Sequence, residues 1–274
     1  MINSIVFSKD RAAQLDLLLK SIEKNGKDVF QIKVIYASSE ISFEKGYEKL
    51  IDKYPEVKWM KESANFKNDV MSAIENTESE YTCFFTDDDI IYRKVNEEDL
   101  TSKLKEDKDA FCFSTRLGKN TVKCYTMNAD NVIKPHHEDD KFICWNWQLH
   151  YLDFGYPLSV DGHVFRTNEI KKLSKKVSFE NPNTYEASLQ IFDNFPRKHM
   201  WAYKESALVN SPSNIVQQVY QNRKGEEHGV SVEELNIAFL SGQEIDYNRI
   251  DFSNIQGCHQ ELELPLTELE LTQE

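Results

Sequence analysis

The chain has 274 residues, with 46 acidic against 33 basic side chains and a formal net charge of -13. Apolar residues make up 40% and aromatic residues 12%, which suits a globular chain with a sizeable core and not a disordered one. The acid excess argues against nucleic acid as a partner, since sequence-independent phosphate binding runs on clustered Lys and Arg; an anionic ligand would need a bridging divalent cation.

Ile2 to Ser8 is a short apolar run that predicts a strand. Asp10 is placed to cap a helix whose stripe is Leu15, Leu18, Leu19 and Ile22, ending at Gly26. Ile32 to Ala37 reads as a second strand, and Phe43, Tyr47, Leu50 and Ile51 as a second helix that stops before Pro55. Val57 to Met60 gives a short third strand, and Phe66, Val70, Ala73 and Ile74 a third helix. Tyr81 to Thr86 is almost wholly apolar, as expected of a strand covered on both faces. A weak helix over Asn96 to Lys105 and a buried strand over Ala110 to Thr115 complete this half. The alternation predicts a mostly parallel α/β sheet, whose ligands bind outside the carboxyl ends of the strands.

From 120 to 180 the pattern is irregular and rich in aromatic residues, Trp145 and Trp147 among them. Beyond it lie a helix over Ser231 to Leu240 and a Leu/Glu alternation from Glu261 to Leu271, read as an edge strand or a frayed tail. No apolar run approaches the ~20 residues of a membrane span, and the first residues lack the features of a signal peptide. Contact with a membrane would therefore be peripheral. The five cysteines have no C-x-x-C spacing, which suits buried, reduced thiols in a cytoplasmic protein.

The most informative stretch is Phe84-Phe85-Thr86-Asp87-Asp88-Asp89-Ile90-Ile91. Successive carboxylates at the end of a buried strand repel one another unless a cation neutralises them. In extended geometry Asp87 and Asp89 face one way and Asp88 the other, so one pair could share Mg²⁺ or Mn²⁺, which prefer oxygen ligands. The absence of a G-x-G-x-x-G after a strand disfavours a dinucleotide-dependent oxidoreductase.

With Ile5-Val6-Phe7-Ser8-Lys9-Asp10-Arg11, Gln14-Leu15 and the Asp triplet at this place, residues 1–240 resemble the GT-A class of nucleotide-sugar glycosyltransferases, family 2-like. The resemblance implies a GT-A type α/β fold over 1–245, with a Rossmann-like nucleotide half (1–115), an acceptor half (116–245) and a C-terminal extension (246–274). It implies a metal-dependent hexosyltransferase that moves a sugar from a nucleotide-diphosphate sugar, a UDP-sugar by default, to a hydroxyl of a glycan or lipid-linked acceptor, with Mn²⁺ or Mg²⁺ as cofactor. Asp87 and Asp89 would then hold the metal, and Ser8, Arg11, Asn65, Lys67, Asp87 and Asp88 the donor. His228 would complete the metal shell from a glycine-flanked loop. Inverting transfer needs a carboxylate to take the acceptor's proton. Glu186, in Asn181-Pro182-Asn183-Thr184-Tyr185-Glu186-Ala187, is the first choice and Asp161, in Val160-Asp161-Gly162, the second, although the family's usual Glu-Asp pair is missing at Glu186-Ala187. Trp145 and Trp147 are candidates for a sugar-stacking platform. The alternatives are a haloacid-dehalogenase-like phosphatase or phosphotransferase, which also uses Asp-x-Asp after a strand, and a non-catalytic sugar-binding protein on the same scaffold.

Overall fold

A computed structural model describes residues 1–192, 194–214 and 228–268. In chain order the elements are β1 (Ile2–Lys9), α1 (Ala12–Gly26), β2 (Phe30–Ala37), α2 (Ile41–Lys53), β3 (Lys58–Lys61), α3 (Phe66–Glu75), β4 (Tyr81–Thr86), β5 (Asp89–Ile91), α4 (Glu97–Glu106) and β6 (Ala110–Ser114). There follow β7 (Lys123–Cys124), β8 (Ala129–Asp130), β9 (His137–Glu138), β10 (Phe142–Asn146), β11 (His163–Arg166), α5 (Thr167–Lys176), α6 (Pro182–Leu189), β12 (His199–Tyr203), β13 (Leu208–Asn210) and α7 (Val232–Leu240).

A nine-stranded sheet runs in the order β3-β2-β1-β4-β11-β6-β12-β10-β9. Strands β3, β2, β1, β4, β6, β12 and β9 point one way, and β11 and β10 the other. The sheet is thus mostly parallel in direction, as the sequence predicts, with β11 inserted antiparallel between β4 and β6. That insertion matters for the site: the amino end of β11 meets the carboxyl ends of β1, β4 and β6 at one edge.

Period-two alternation sorts the core onto both faces of the sheet. Val6, Cys83 and Phe85 pack with Leu15, Leu18, Tyr47 and Leu100 on one face. Ile5, Phe7 and Phe84 pack with Phe66, Val70, Phe165 and Tyr185 on the other. All five cysteines are free and buried. Among the described residues, no helix is long and apolar enough to cross a membrane.

Three local expectations are corrected. Asp10 does not cap α1: the N-cap is Arg11, without a side-chain cap, and Asp10 takes φ +59° in the turn after β1. Its carboxylate instead accepts from the Ser39 amide at 2.6 Å, tying the β1 and β2 ends together. The aromatic middle is more regular than its sequence suggests, because β10 is an interior strand of the sheet and Trp145 fills the core. The Leu/Glu stretch, as far as Glu268, is neither an edge strand nor loose: it makes one bridge, Ile245 to Leu266, and Leu262 is buried.

Gly162, between Asp161 and β11, has φ +69°, and a Cβ there would lie 2.4 Å from Thr115 Oγ1. Both the backbone conformation and the contact require glycine. Gly162→Ala is expected to cost at least about 1–3 kcal/mol, read as a lower urea midpoint at unchanged slope; an unchanged midpoint would refute the strain.

Candidate active site

The edge where β1, β4 and β6 end forms a cleft of about 450 Å³, lined among others by Ser8, Arg11, Asp87, Asp88, Asp161, Glu186, Asn210 and His259. Its position follows the rule for open α/β sheets, where strands part and leave room beyond their carboxyl ends.

The Asp triplet is a turn and not an extended run. β4 ends at Thr86, Asp87 and Asp88 form the turn, and β5 starts at Asp89. Each carboxylate therefore has its own surroundings. Asp87 Oδ2 accepts from Ser8 Oγ at 2.8 Å and the Lys9 amide at 3.1 Å, while Oδ1 accepts from Arg11 Nη1 at 3.0 Å. Asp88 Oδ2 accepts from the same Arg11 nitrogen at 2.9 Å, and Oδ1 from Asn210 Nδ2 at 2.8 Å. Asp89 is fully buried, with Oδ2 on the Thr86 amide at 3.0 Å and Oδ1 on Asn210 Nδ2 at 3.1 Å. The antiparallel pairing of β13 with β5 sets Asn210 directly opposite Asp89, which is why one amide reaches two carboxylates.

Arg11 is itself buried, and its other terminal nitrogen donates to the Asn214 carbonyl. Burial, opposed by Arg11 and assisted by Asp88, pushes Asp87 up to about 6. Burial, then Asp161 and Asp88, push Asp89 well above the usual carboxylate range. A second buried guanidinium lies across the cleft. Arg116 Nη1 donates to Asp161 Oδ2 at 2.8 Å, and Thr86 Oγ1 donates to Asp161 Oδ1 at 3.0 Å. His259 Nε2 lies 3.5 Å from Asp161 Oδ2. Burial would raise Asp161, but His259 and Arg116 outweigh it and hold this carboxylate well below its ordinary value. Burial likewise opposes a charge on His259, yet Cys258 and Asp161 raise it well above the usual imidazole value.

Glu186 differs. It sits in α6, which starts from a reciprocal Asn181/Thr184 cap with Pro182 in the first turn. This puts Glu186 in the second turn of the helix. Tyr156 and Ser159 are its polar neighbours. Burial, then the charge of Asp161, push it up to about 7, against the pull of Arg116.

Of the residues singled out from sequence, Ser8, Arg11, Asp87, Asp88, Asp161 and Glu186 meet in this cleft. Asp89 stands behind it. Asn65 caps α3 by accepting from the Asn68 amide at 3.0 Å, and Lys67 Nζ donates to the Val177 carbonyl at 2.6 Å. Trp145 is fully buried with Nε1 on the Phe154 carbonyl, and Trp147 is buried with Nε1 on the Arg197 carbonyl. Neither indole offers a free face for a sugar. His228 is exposed, and its amide donates to Glu261 Oε2 at 3.2 Å; residues 215–227, which precede it, lie outside the described residues. The histidine in the cleft is His259, which sequence reading missed, as it missed Arg116 and Asn210. Arg116 carried a signal, since it follows a buried strand; His259 carried none.

No protein-family model matches the chain. The chain is 28% identical over 254 aligned residues to the bifunctional glycosyltransferase pgtA of Dictyostelium discoideum, a match covering 81% of this chain and 33% of that protein. The chain is similar to a glycosyltransferase. It spans about a third of that relative's length. Among solved structures it is similar to TarS of S. aureus, with a TM-score of 0.48 at 16% identity over 78% of this chain and 37% of that one. It is also similar to the mannosyltransferase PcManGT of Pyrobaculum calidifontis in complex with GDP-Man and Mn²⁺, with a TM-score of 0.40 at 10% identity over 74% of this chain and 55% of that one.

Proposed function

We propose that this chain is a metal-dependent glycosyltransferase that moves a sugar from a nucleotide-diphosphate sugar to a hydroxyl of a glycan or lipid-linked acceptor. The observation that carries the reading is a carboxylate poised near neutrality, Glu186, across a cleft from an acid-rich turn at the carboxyl ends of parallel strands. Similarity to a relative that is named a glycosyltransferase supports it.

The donor set fits a divalent cation. Glu62, Asp87, Asp88, Asp161 and Glu186 line the cleft with Asp89 behind it, and they outnumber Lys9, Arg11, His259 and the nearby Arg116; Asp87 and Asp89 are raised above the carboxylate range, so the cleft carries uncompensated acid. All-oxygen donors suit Mg²⁺ or Mn²⁺. Asp88, the triplet member with most access to the cleft at 14% side-chain exposure, would hold the ion with Asp87, braced by Asp89 from behind. Such an ion would screen the donor diphosphate and favour its departure.

Glu186 takes the acceptor's proton as the acceptor oxygen bonds to the anomeric carbon, and the bond to the diphosphate oxygen breaks with its electron pair leaving on the diphosphate. A general base works best with a pKa near the working pH, which favours Glu186 over Asp161, pinned as an anion by Arg116 and His259. A single displacement of this kind inverts the anomeric centre. Asp161 positions Arg116 and His259, and Arg11 and Ser8 hold the donor side. The phosphatase alternative would use Asp87 as nucleophile; the similarity to a relative named a glycosyltransferase favours sugar transfer instead. We assign residues 1–245 to the catalytic unit, completed by the segment that brings in His259, and place the enzyme in the cytoplasm, in keeping with its free buried thiols.

Thermal unfolding with UDP, GDP, CMP and ADP, each with and without Mn²⁺, tests the reading. One nucleotide with metal, at about 100 times its dissociation constant, adds about 2.7 kcal/mol, a rise of roughly 5–10 °C in Tm. No rise with any nucleotide would overturn it.

A further inference from the structure

We propose that His136, Cys144 and His199 form a second metal site, of zinc type, at the opposite edge of the sheet from the cleft. One ligand atom from each lies within 4.8 Å of the others. His199 opens β12 beside Ala110 at the amino end of β6, whereas the cleft lies at the carboxyl ends. Cys144 is in the neighbouring strand β10, where it pairs with Trp201, so His199, two residues earlier on β12, is its diagonal neighbour on the same face. His136 is held over the same strand by its amide, which donates to the Cys144 carbonyl at 3.0 Å. The His136 and His199 rings lie 4.8 Å apart.

The surroundings are arranged as a metal-bound histidine needs. His199 Nδ1 bonds Asp107 Oδ2 at 2.8 Å, which leaves Nε2 as the free ligand nitrogen. Asp107 is itself fixed, accepting from Trp201 Nε1 at 2.8 Å and from the Asp109 amide at 2.8 Å. A carboxylate behind a ligating imidazole is the usual outer support of such sites. The thiol lies fully buried at the floor and the imidazoles at the rim, His199 with 28% of its side chain exposed. Tetrahedral zinc with bonds of about 2.0 Å to nitrogen and about 2.3 Å to sulfur sets its ligand atoms about 3.3–3.5 Å apart, a closing movement that the exposed His136 can make. One thiolate and two imidazoles select zinc-like ions and not the oxygen-seeking Mg²⁺ or Mn²⁺ of the cleft; a water would take the fourth position.

Cobalt(II) added to metal-free protein is the probe, since only a thiolate ligand gives the sulfur-to-cobalt charge-transfer band. One equivalent should produce that band, and Zn²⁺ should abolish it. Cys144→Ser should remove it, His136→Ala on the exposed rim should weaken binding at least tenfold, and Asp107→Asn should weaken it about 10–100-fold. Cys258→Ser, which alters the Asp153, Cys258 and His259 group, should leave the band intact. A wild-type protein without the band, a band undiminished in His136→Ala, or a band that follows Cys258 would each overturn the proposal. Because Cys144 is buried, circular dichroism must show its variant folded; His136→Ala decides the matter if it is not.

Discussion

Glu186→Gln is expected to lower sugar transfer by about 10²–10⁴-fold, the usual contribution of a positioned base, while metal-dependent nucleotide binding persists. In the wild type, kcat/KM should rise with pH through a midpoint around 7, where Glu186 loses its proton, to a plateau above it, and the variant should lack that limb. A stability measurement separates lost chemistry from lost fold. Glu186 is raised from 4.5 to about 7 in the folded chain, so between those values the folded state binds more proton than the unfolded one. Stability due to this group is therefore full below the unfolded value and is lost as pH rises through about 7. Glutamine escapes that loss, and the variant's Tm at pH 8 should equal or exceed the wild type's. A variant as active as the wild type would remove Glu186 from the mechanism; an inactive one that has lost Tm would leave its loss of activity a matter of folding.

The second large effect concerns Arg11. Its guanidinium is the only strong cation in contact with Asp87 and Asp88 among the described residues, at 3.0 and 2.9 Å. Arg11→Met keeps an apolar stem but strands two carboxylates, one of them buried. Breaking a buried pair from one side costs about 3–5 kcal/mol, a fall of roughly 6–20 °C in Tm. Mn²⁺ should recover part of this fall and stabilise the variant more than it stabilises the wild type, because the cation then replaces the missing guanidinium beside Asp88. A fall under about 2 °C would mean that the pair contributes nothing, and equal Mn²⁺ increments in both proteins would take the ion away from Asp88.

Much of the scaffold was legible because its signals are local. Leu15, Leu18 and Ile22 recur at helical spacing, and the apolar run of β4 needs cover on both faces. Asp87 and Asp88 could be found because an acid run after a buried strand announces itself within a few residues, and Glu186 because the family resemblance points to that segment. The rest depends on contacts that sequence spacing does not encode. Trp145 looked like a platform because indoles suit sugars, but a residue in an interior strand packs between sheet and helix whatever its chemistry. Asn65 and Lys67 stand at the mouth of a helix near the sheet's edge, yet their polar groups are spent on backbone. His259 reaches Asp161 from 98 residues away along the chain, in a segment without periodicity, while His228, in a more suggestive setting of glycines, stays on the surface. The geometry of the triplet was also hidden, since only the pairing of β13 with β5 explains why Asp89 turns inward to Asn210.

That late return of the chain bears on how the protein is made. β1 to β4 all pair within the first 86 residues, so this part of the sheet can form while translation is still under way. The cleft cannot: the amino end of β11 must slide between β4 and β6, and the Asn210–His259 bridge must then close over it. Until residue 259 has left the ribosome, Asp161 lacks its imidazolium and the cleft lacks one wall. A nascent chain can therefore pair β1 to β4 well before its cleft is complete, and only chains synthesised past residue 259 can present all of the cleft's walls.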